Sequence, residues 1–162
     1  MVFKLFSSQE LGKLKSLSSE NSRKRQHRNL HDSYDEICQT LLNVIEVDSY
    51  VKPHKHINNG QPELLVCLEG SFAVVAFDNH GKIFSAFKCA PAGSKKDILA
   101  VRIPSEVWHT VVPFEKCVIL EVKQGPFNPE EAKIMAPWAP EEHSEEKENY
   151  MRSIKSEILT FY

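Results

Sequence analysis

The chain has 162 residues, with 20 lysines and arginines against 22 aspartates and glutamates, for a formal charge of −2 at neutral pH. That length carries one domain with a sizeable core rather than two, and the near-neutral balance excludes a general nucleic-acid binder. No stretch approaches the roughly 20 apolar residues of a membrane span, and MVFKLFSSQELGKLK lacks the apolar core of a signal peptide, so a soluble, cytoplasmic protein is expected.

Ser7-Ser8-Gln9-Glu10 has the form of a capping box, and Phe6, Leu11, Leu14 and Leu17 recur near helical spacing, which predicts a helix over 7–18. SRKRQHRNLHDS follows, with Arg23, Lys24, Arg25 and Arg28 and no acid before Asp32. It reads as a basic strap rather than a helix, so residues 1–34 form an N-terminal helix and strap.

From residue 39 the texture changes to short apolar runs: TLLNVIEV, SYVKPHKH, ELLVCLEG, FAVVAFDN, KIFSAFK, DILAVRI, WHTVVP and KCVILEVK, which predict eight strands. Turn signals separate them at Glu69-Gly70-Ser71, Asp78-Asn79-His80-Gly81 and Ala90-Pro91-Ala92-Gly93-Ser94. With no long helical pattern between strands, an all-β jelly roll or small barrel over 35–124 is favoured and a βαβ fold disfavoured. The proline-rich run QGPFNPEEAKIMAPWAPEE then reads as an ordered strap, with Phe127 and Trp138 available to pin it. In the acidic tail Tyr150, Met151, Ile154 and Ile158 predict a short docking helix, so 125–162 forms a C-terminal strap and helix on a single domain. Cys38, Cys67, Cys89 and Cys117 form no CxxC pair and read as reduced thiols, not a disulfide framework.

His54 and His56 alternate along one strand, so both emerge on one face about 6.6 Å apart. Glu63, Leu65 and Cys67 share a face of the next strand, and Glu63 joins the histidines if that face is the inner one. His109 opens a strand 53 residues beyond His56, a distance a jelly roll spans because remote strands meet across one lumen. Three imidazoles and a carboxylate suit zinc, iron, manganese, nickel or copper, with positions left for water or substrate, and do not choose among them. Each histidine alone also fits a packing role in a purely structural barrel. Cys67 reads as core filler, and His27, His80 and His143 as surface residues. Trp108 reads as barrel packing on the face opposite His109, and Glu46, Glu69 and Glu121 as water-facing strand ends. No GxSxG, P-loop or GxGxxG is present, which argues against a serine hydrolase, a nucleotide hydrolase or a Rossmann dehydrogenase.

The order HxH, then E, then G, then P-x-x-x-W-H resembles the two motifs of the cupin superfamily, G-x5-H-x-H-x(3,4)-E-x6-G and G-x5-P-x-G-x2-H-x3-N. His54, His56, Glu63, Gly70, Pro104 and His109 fall on motif positions. Six residues separate His56 from Glu63, and Asp48, Glu106 and Pro113 replace the first glycine, the second-motif glycine and the asparagine. More narrowly, RNLHDS, YVKPHKH, ELLVCLEG, IPSEVWHTVV, LEVKQGPFNP and APWAPEE resemble the WbuC family of cupin-fold metalloproteins over roughly residues 20–142.

The resemblance implies a cupin double-stranded β-helix with a divalent metal held by His54, His56, Glu63 and His109 near one mouth. Arg25, Asn29 and His31 match the narrower family's N-terminal motif and become substrate-binding candidates, an arginine there suiting a phosphate or carboxylate. A solvated basic strap that neutralises the acidic tail is the alternative for that segment. The implied function is a small metalloenzyme, an isomerase, epimerase or oxygenase. Its substrate would be a sugar or sugar-nucleotide, possibilities that include an anionic sugar, in bacterial surface-polysaccharide (O-antigen) biosynthesis. The alternative is a non-catalytic small-molecule-binding module. Cupin-like barrels pair through their sheets, so a homodimer is expected.

Overall fold

A computed structural model describes residues 3–56, 62–93, 98–128 and 133–162. In chain order the elements are α1 (Ser8–Glu20), β1 (Arg25–Asn29), β2 (Cys38–Ile45), β3 (His54–Lys55), β4 (Glu63–Glu69), β5 (Phe72–Phe77) and β6 (Ile83–Cys89). They continue with β7 (Ala100–Ile103), β8 (Trp108–Pro113), β9 (Cys117–Gln124), β10 (Ile134–Met135) and α2 (Lys147–Ile158), which ends in a 3-10 turn at Leu159–Phe161. The strands form two five-stranded sheets, β1-β2-β9-β4-β7 and β10-β3-β8-β5-β6, and every strand pair within them is antiparallel. This is the cupin double-stranded β-helix with a short helix towards each end.

The inner faces meet through Ile45, Leu65, Phe72, Val74, Val111 and Ile119. β5 is buried on both faces because its other face, Ala73, Val75 and Phe77, lies beneath Met151, Ile154 and Ile158 of α2. That double burial explains why FAVVAF is a continuous apolar run while β4 alternates. α1 covers the outside of the other sheet, with Leu14 packed on Leu42, Val44 and Val118. Its start is the capping box: Ser7 Oγ accepts from the Glu10 N–H, and the Ser7 N–H donates to Glu10 Oε2 at 2.8 Å.

The C-terminal strap is anchored as its aromatics predict. Trp138 packs tilted against Phe77 at 5.0 Å, and Phe127 lies 5.1 Å from Tyr34, centroid to centroid. Tyr50 Oη donates to Pro140 O at 2.9 Å. Gly81, at φ +84°, is required here, since a Cβ would lie 2.7 Å from the Trp138 ring.

Three expectations change. The basic strap contains a strand: Arg25, His27 and Asn29 pair across from Ile45, Asn43 and Leu41, and pairing with β2 orders a segment that has no apolar alternation of its own. The strand predicted from SYVKPHKH shrinks to His54–Lys55, because Pro53 has no N–H to give a ladder. The strand predicted from DILAVRI is observed from Ala100, and its first residue, Asp97, lies outside the described residues, as does Ser94 of the preceding turn signal. No described helix is long and apolar enough to cross a membrane.

Candidate metal centre

The histidines come from one sheet and the carboxylates from the other. His54 on β3 sits directly opposite His109 on β8 in the register. His56 follows β3 and is held by its own carbonyl, which accepts the Glu106 N–H at 2.8 Å. Glu106 has φ +64°, so the chain adopts the left-handed turn of the motif glycine although a glutamate stands there.

His54 Nδ1 lies 2.9 Å from Lys52 O and His109 Nδ1 2.9 Å from Val107 O. A carbonyl only accepts, so each Nδ1 carries the hydrogen and each Nε2 keeps a lone pair, the tautomer a metal ligand needs. Nitrogens of His54, His56 and His109 lie within 4.8 Å of one another. Glu63 Oε2 lies 3.4 Å from Nε2 of both His56 and His109. For His109 that sets a carboxylate lone pair against an imidazole lone pair, an arrangement that a cation between them resolves. Glu63 faces two of the three histidines and lies outside the tight cluster that the three form.

The electrostatics agree with that arrangement. Burial, followed by the charges of His109 and Lys133, holds the His54 imidazole well below its usual range, so it is neutral and ligand-ready at neutral pH. Burial pushes Glu63 up, but positive charge on its His109 and His56 side, the place a metal would take, outweighs this and holds its carboxyl well below the usual range. Glu121 behaves oppositely: burial and then the Glu63 charge push it up to about 7, so the two carboxyls share one proton near neutrality.

Glu121 corrects an expectation. The sequence places it at a water-facing strand end, yet it is 9 % exposed, accepting from Asn43 Nδ2 at 2.5 Å and Lys123 Nζ at 2.8 Å. The signal was available: Cys117, Ile119, Glu121 and Lys123 alternate onto one face of β9, and that face is the inner one.

These groups open on a cavity of about 400 Å³ whose wall includes Arg25, Asn29 and His31. Arg25 donates to Glu142 Oε1 at 2.5 Å and to Tyr50 O at 2.9 Å, while Arg23 Nε donates to Glu142 Oε2 at 2.8 Å. These two arginines thus share one carboxylate of the acidic tail, with Arg25 on a strand rather than in a solvated strap. His27, His80 and His143 are all exposed, as expected, and His27 also borders the cavity from β1. Cys67 is buried in the inter-sheet core, and Trp108 packs on the outer side towards α2, its Nε1 donating to Asn79 Oδ1 at 3.0 Å.

Residues 6–89, more than half of the chain, match the family model described as "Domain of unknown function (DUF6016)". The chain belongs to this family. No curated protein matches it in sequence. Among solved structures, this DUF6016 chain is similar to the capsular polysaccharide assembling protein CapF from Staphylococcus aureus. The TM-score is 0.57 at 13% identity, over 71% of this chain and 30% of that one. A variant of the salicylate 1,2-dioxygenase from Pseudoaminobacter salicylatoxidans gives a TM-score of 0.56 at 9% identity, over 75% of this chain and 35% of that one. Protein SO0799 from Shewanella oneidensis gives 0.54 at 7% identity, over 83% of this chain and 84% of that one. The chain thus spans about a third of the CapF and dioxygenase chains, and at these identities the likeness is one of fold, the cupin jelly roll.

Proposed function

We propose that this DUF6016 protein is a metal-dependent cupin in which His54, His56 and His109, with Glu63, hold one divalent transition metal: zinc, iron, manganese or nickel. The observation that carries the reading is the convergence of the histidine nitrogens, two with their hydrogens committed to backbone carbonyls, on one point faced by a buried carboxylate. When bound, such a metal supplies Lewis acidity towards a substrate oxygen, or activates water or dioxygen. The chain's own residues do the rest. Lys52 O and Val107 O orient the imidazoles, Glu121 holds a proton at the carboxyl beside Glu63, and Asn43 and Lys123 fix Glu121 in place.

We further propose that it is a small cytoplasmic metalloenzyme, working as a homodimer on a sugar or sugar-nucleotide of surface-polysaccharide biosynthesis. The WbuC resemblance supports this, as does a cavity wall rich in amide and imidazole groups, including Asn29, His31, Gln39 and Asn43. An isomerisation or epimerisation needs a group that gives and takes a proton, and Glu121, buried beside Glu63 on the cavity wall, is placed for that role.

Metal analysis of protein purified without a histidine tag tests the first claim. Near-stoichiometric metal is expected in the wild type and little in His56→Ala or His109→Ala. A wild type without metal, or variants that keep all of it, defeats the reading. Incubation of the metallated protein with nucleotide-linked and phosphorylated sugars tests the second. Tight binding with no turnover across the panel would reassign the protein to the non-catalytic binding modules.

A further inference from the structure

A second pair of polar groups lines the same cavity without belonging to the metal cluster. His31, just past β1, is 8% exposed, and Gln39, on β2, is 1% exposed. Gln39 Nε2 donates to the carbonyls of Ser33, Tyr34 and Glu36 at 3.1, 3.2 and 2.7 Å. Rotating that amide would set its oxygen against three carbonyl oxygens, so Oε1 is fixed as an acceptor, and it has no partner among the described residues.

His31 meets the β2 backbone at Thr40. Its Nδ1 lies 2.9 Å from Thr40 O and accepts the Thr40 N–H at 3.1 Å. Thr40 O already accepts the Leu30 N–H at 2.8 Å, so the β2 backbone at Thr40 faces β1. The Thr40 N–H points the same way and takes His31 Nδ1 as its acceptor. With its hydrogen on Nε2 the ring accepts the Thr40 N–H, while Nδ1 faces Thr40 O at 2.9 Å, the contact that carries the hydrogen at His54 and His109. In the Nε2–H tautomer Nε2 is a buried donor, and in either tautomer it has no partner among the described residues. Buried polar groups are ordinarily paired, and here one donor and one acceptor on a single cavity are not.

Arg23 and Arg25 share the one carboxylate of Glu142, Lys123 holds Glu121, and Lys133 is a fourth cation on the cavity wall. We propose that this corner of the cavity recognises a hydroxyl-bearing end of the ligand, with His31 Nε2–H as donor and Gln39 Oε1 as acceptor. Hydroxyls both accept and donate, so a polyol or sugar hydroxyl face satisfies both groups without adding charge. This deepens the metal-dependent reading above and rests on it for the opposite end of the ligand. It moves recognition from Arg25, which the chain's own Glu142 occupies, to Gln39 and His31.

The test uses full-length zinc-loaded protein whose metal content is measured first. Nitrogen-15 histidine NMR and calorimetry then compare sorbitol and myo-inositol with gluconate and glucose 6-phosphate. The wild type is expected to show the Nε2–H tautomer at His31, with that resonance shifting as a neutral probe is added. His31→Asn keeps an oxygen for the Thr40 N–H but lacks the Nε2 donor, and is expected to bind the neutral probe about tenfold more weakly with metal content unchanged. An Nδ1–H tautomer in the wild type overturns the proposal whether or not the variant folds. So does unchanged affinity in the variant, or no binding of either neutral probe. Metal content is read separately: metal-free protein that still binds sorbitol through His31 removes the metal reading and leaves this recognition standing.

Discussion

The same strands build two chemically opposite ends of the barrel. Along the inner face of β4 the chain passes from Glu63 through Leu65 to Cys67, along β9 from Glu121 through Ile119 to Cys117, and along β8 from His109 to Val111. Each step of two residues moves about 6.6 Å along the strand, so some 13 Å separates a mouth of charge and imidazole from a base of thiols and hydrocarbon. Burial is deep at both ends and acts on titratable groups in the same direction. It pushes the Cys117 thiol far up, leaving it inert, and it raises Glu121 as well. What differs is the neighbours: at the mouth Glu63 faces two imidazoles and stays ionised, while at the base nearby thiols give Cys117 no positive partner. Stability should therefore reside at the base and chemistry at the mouth.

The largest expected effect falls at the base. Phe72→Ala removes a fully buried ring between the sheets and should cost about 3–5 kcal/mol in urea unfolding, while the protein that remains folded keeps its full complement of metal. Loss of metal in proportion to loss of stability would show that the two ends are not separable.

The next effect belongs to the mouth and depends on pH. The folded-state pKa of Glu121 is raised to about 7 against an ordinary value of 4.5. The native state therefore binds that proton more tightly than the unfolded chain. The associated stabilisation is complete below about pH 4.5 and is lost as pH rises through about 7. Glu63 runs the other way, its contribution present above its ordinary 4.5 and lost as pH falls through its depressed folded value. Between about pH 4.5 and 7, Glu121 lowers stability with rising pH, while His54, held below its ordinary 6.5, acts the other way, so the share of Glu121 is read as a difference between proteins. Urea midpoints of metal-free wild type should fall across that window relative to Glu121→Gln, and parallel profiles would remove the shared proton.

How much of this could be read from the sequence depends on the kind of signal each residue carries. His54 and His56 stand out because alternation by two puts both on one face, and the core strands stand out because apolar runs end at turn residues. Glu121 and β1 are hard to read for a common reason: each presents polar side chains to a polar interior, and no apolar alternation marks them. RQHRN has no apolar periodicity, and only its pairing with β2, a tertiary fact, makes it a strand. The pairing of Arg25 with Glu142 joins residues 117 positions apart, which no local pattern reports. Pro53 was the visible warning that the strand before His54 would be short.

A smaller effect should come from the outside wall. Gly81→Ala puts a side chain at φ +84° and a Cβ 2.7 Å from Trp138, which packs near Phe77 and Trp108 on the outer face of the histidine-bearing sheet. A loss of somewhat more than about 1 kcal/mol in thermal or urea unfolding is expected, since φ and contact are both wrong for alanine. Because Trp108 and His109 are neighbours on opposite faces of β8, a strained Trp138 is also the shortest route by which damage outside could reach the metal. Unchanged metal affinity in this variant would show that β8 insulates its two faces.

The smallest effect tests the most remote support. Ser7→Ala removes the oxygen that accepts the Glu10 N–H at the start of α1, and should cost about 1 kcal/mol. α1 reaches the barrel through Leu14 on Leu42, Val44 and Val118, whose side chains lie on the outer faces of β2 and β9. Their neighbours Asn43 and Glu121 point inward, so fraying of α1 loosens the backs of the strands that carry the shared proton. If those strands are held by their own ladder, the β2–β9 pairing that runs unbroken from Cys38↔Gln124 to Ile45↔Cys117, the variant melts slightly earlier with the pH dependence of the wild type. A changed pH profile would mean that the helix, and not the ladder alone, keeps Glu121 against Glu63.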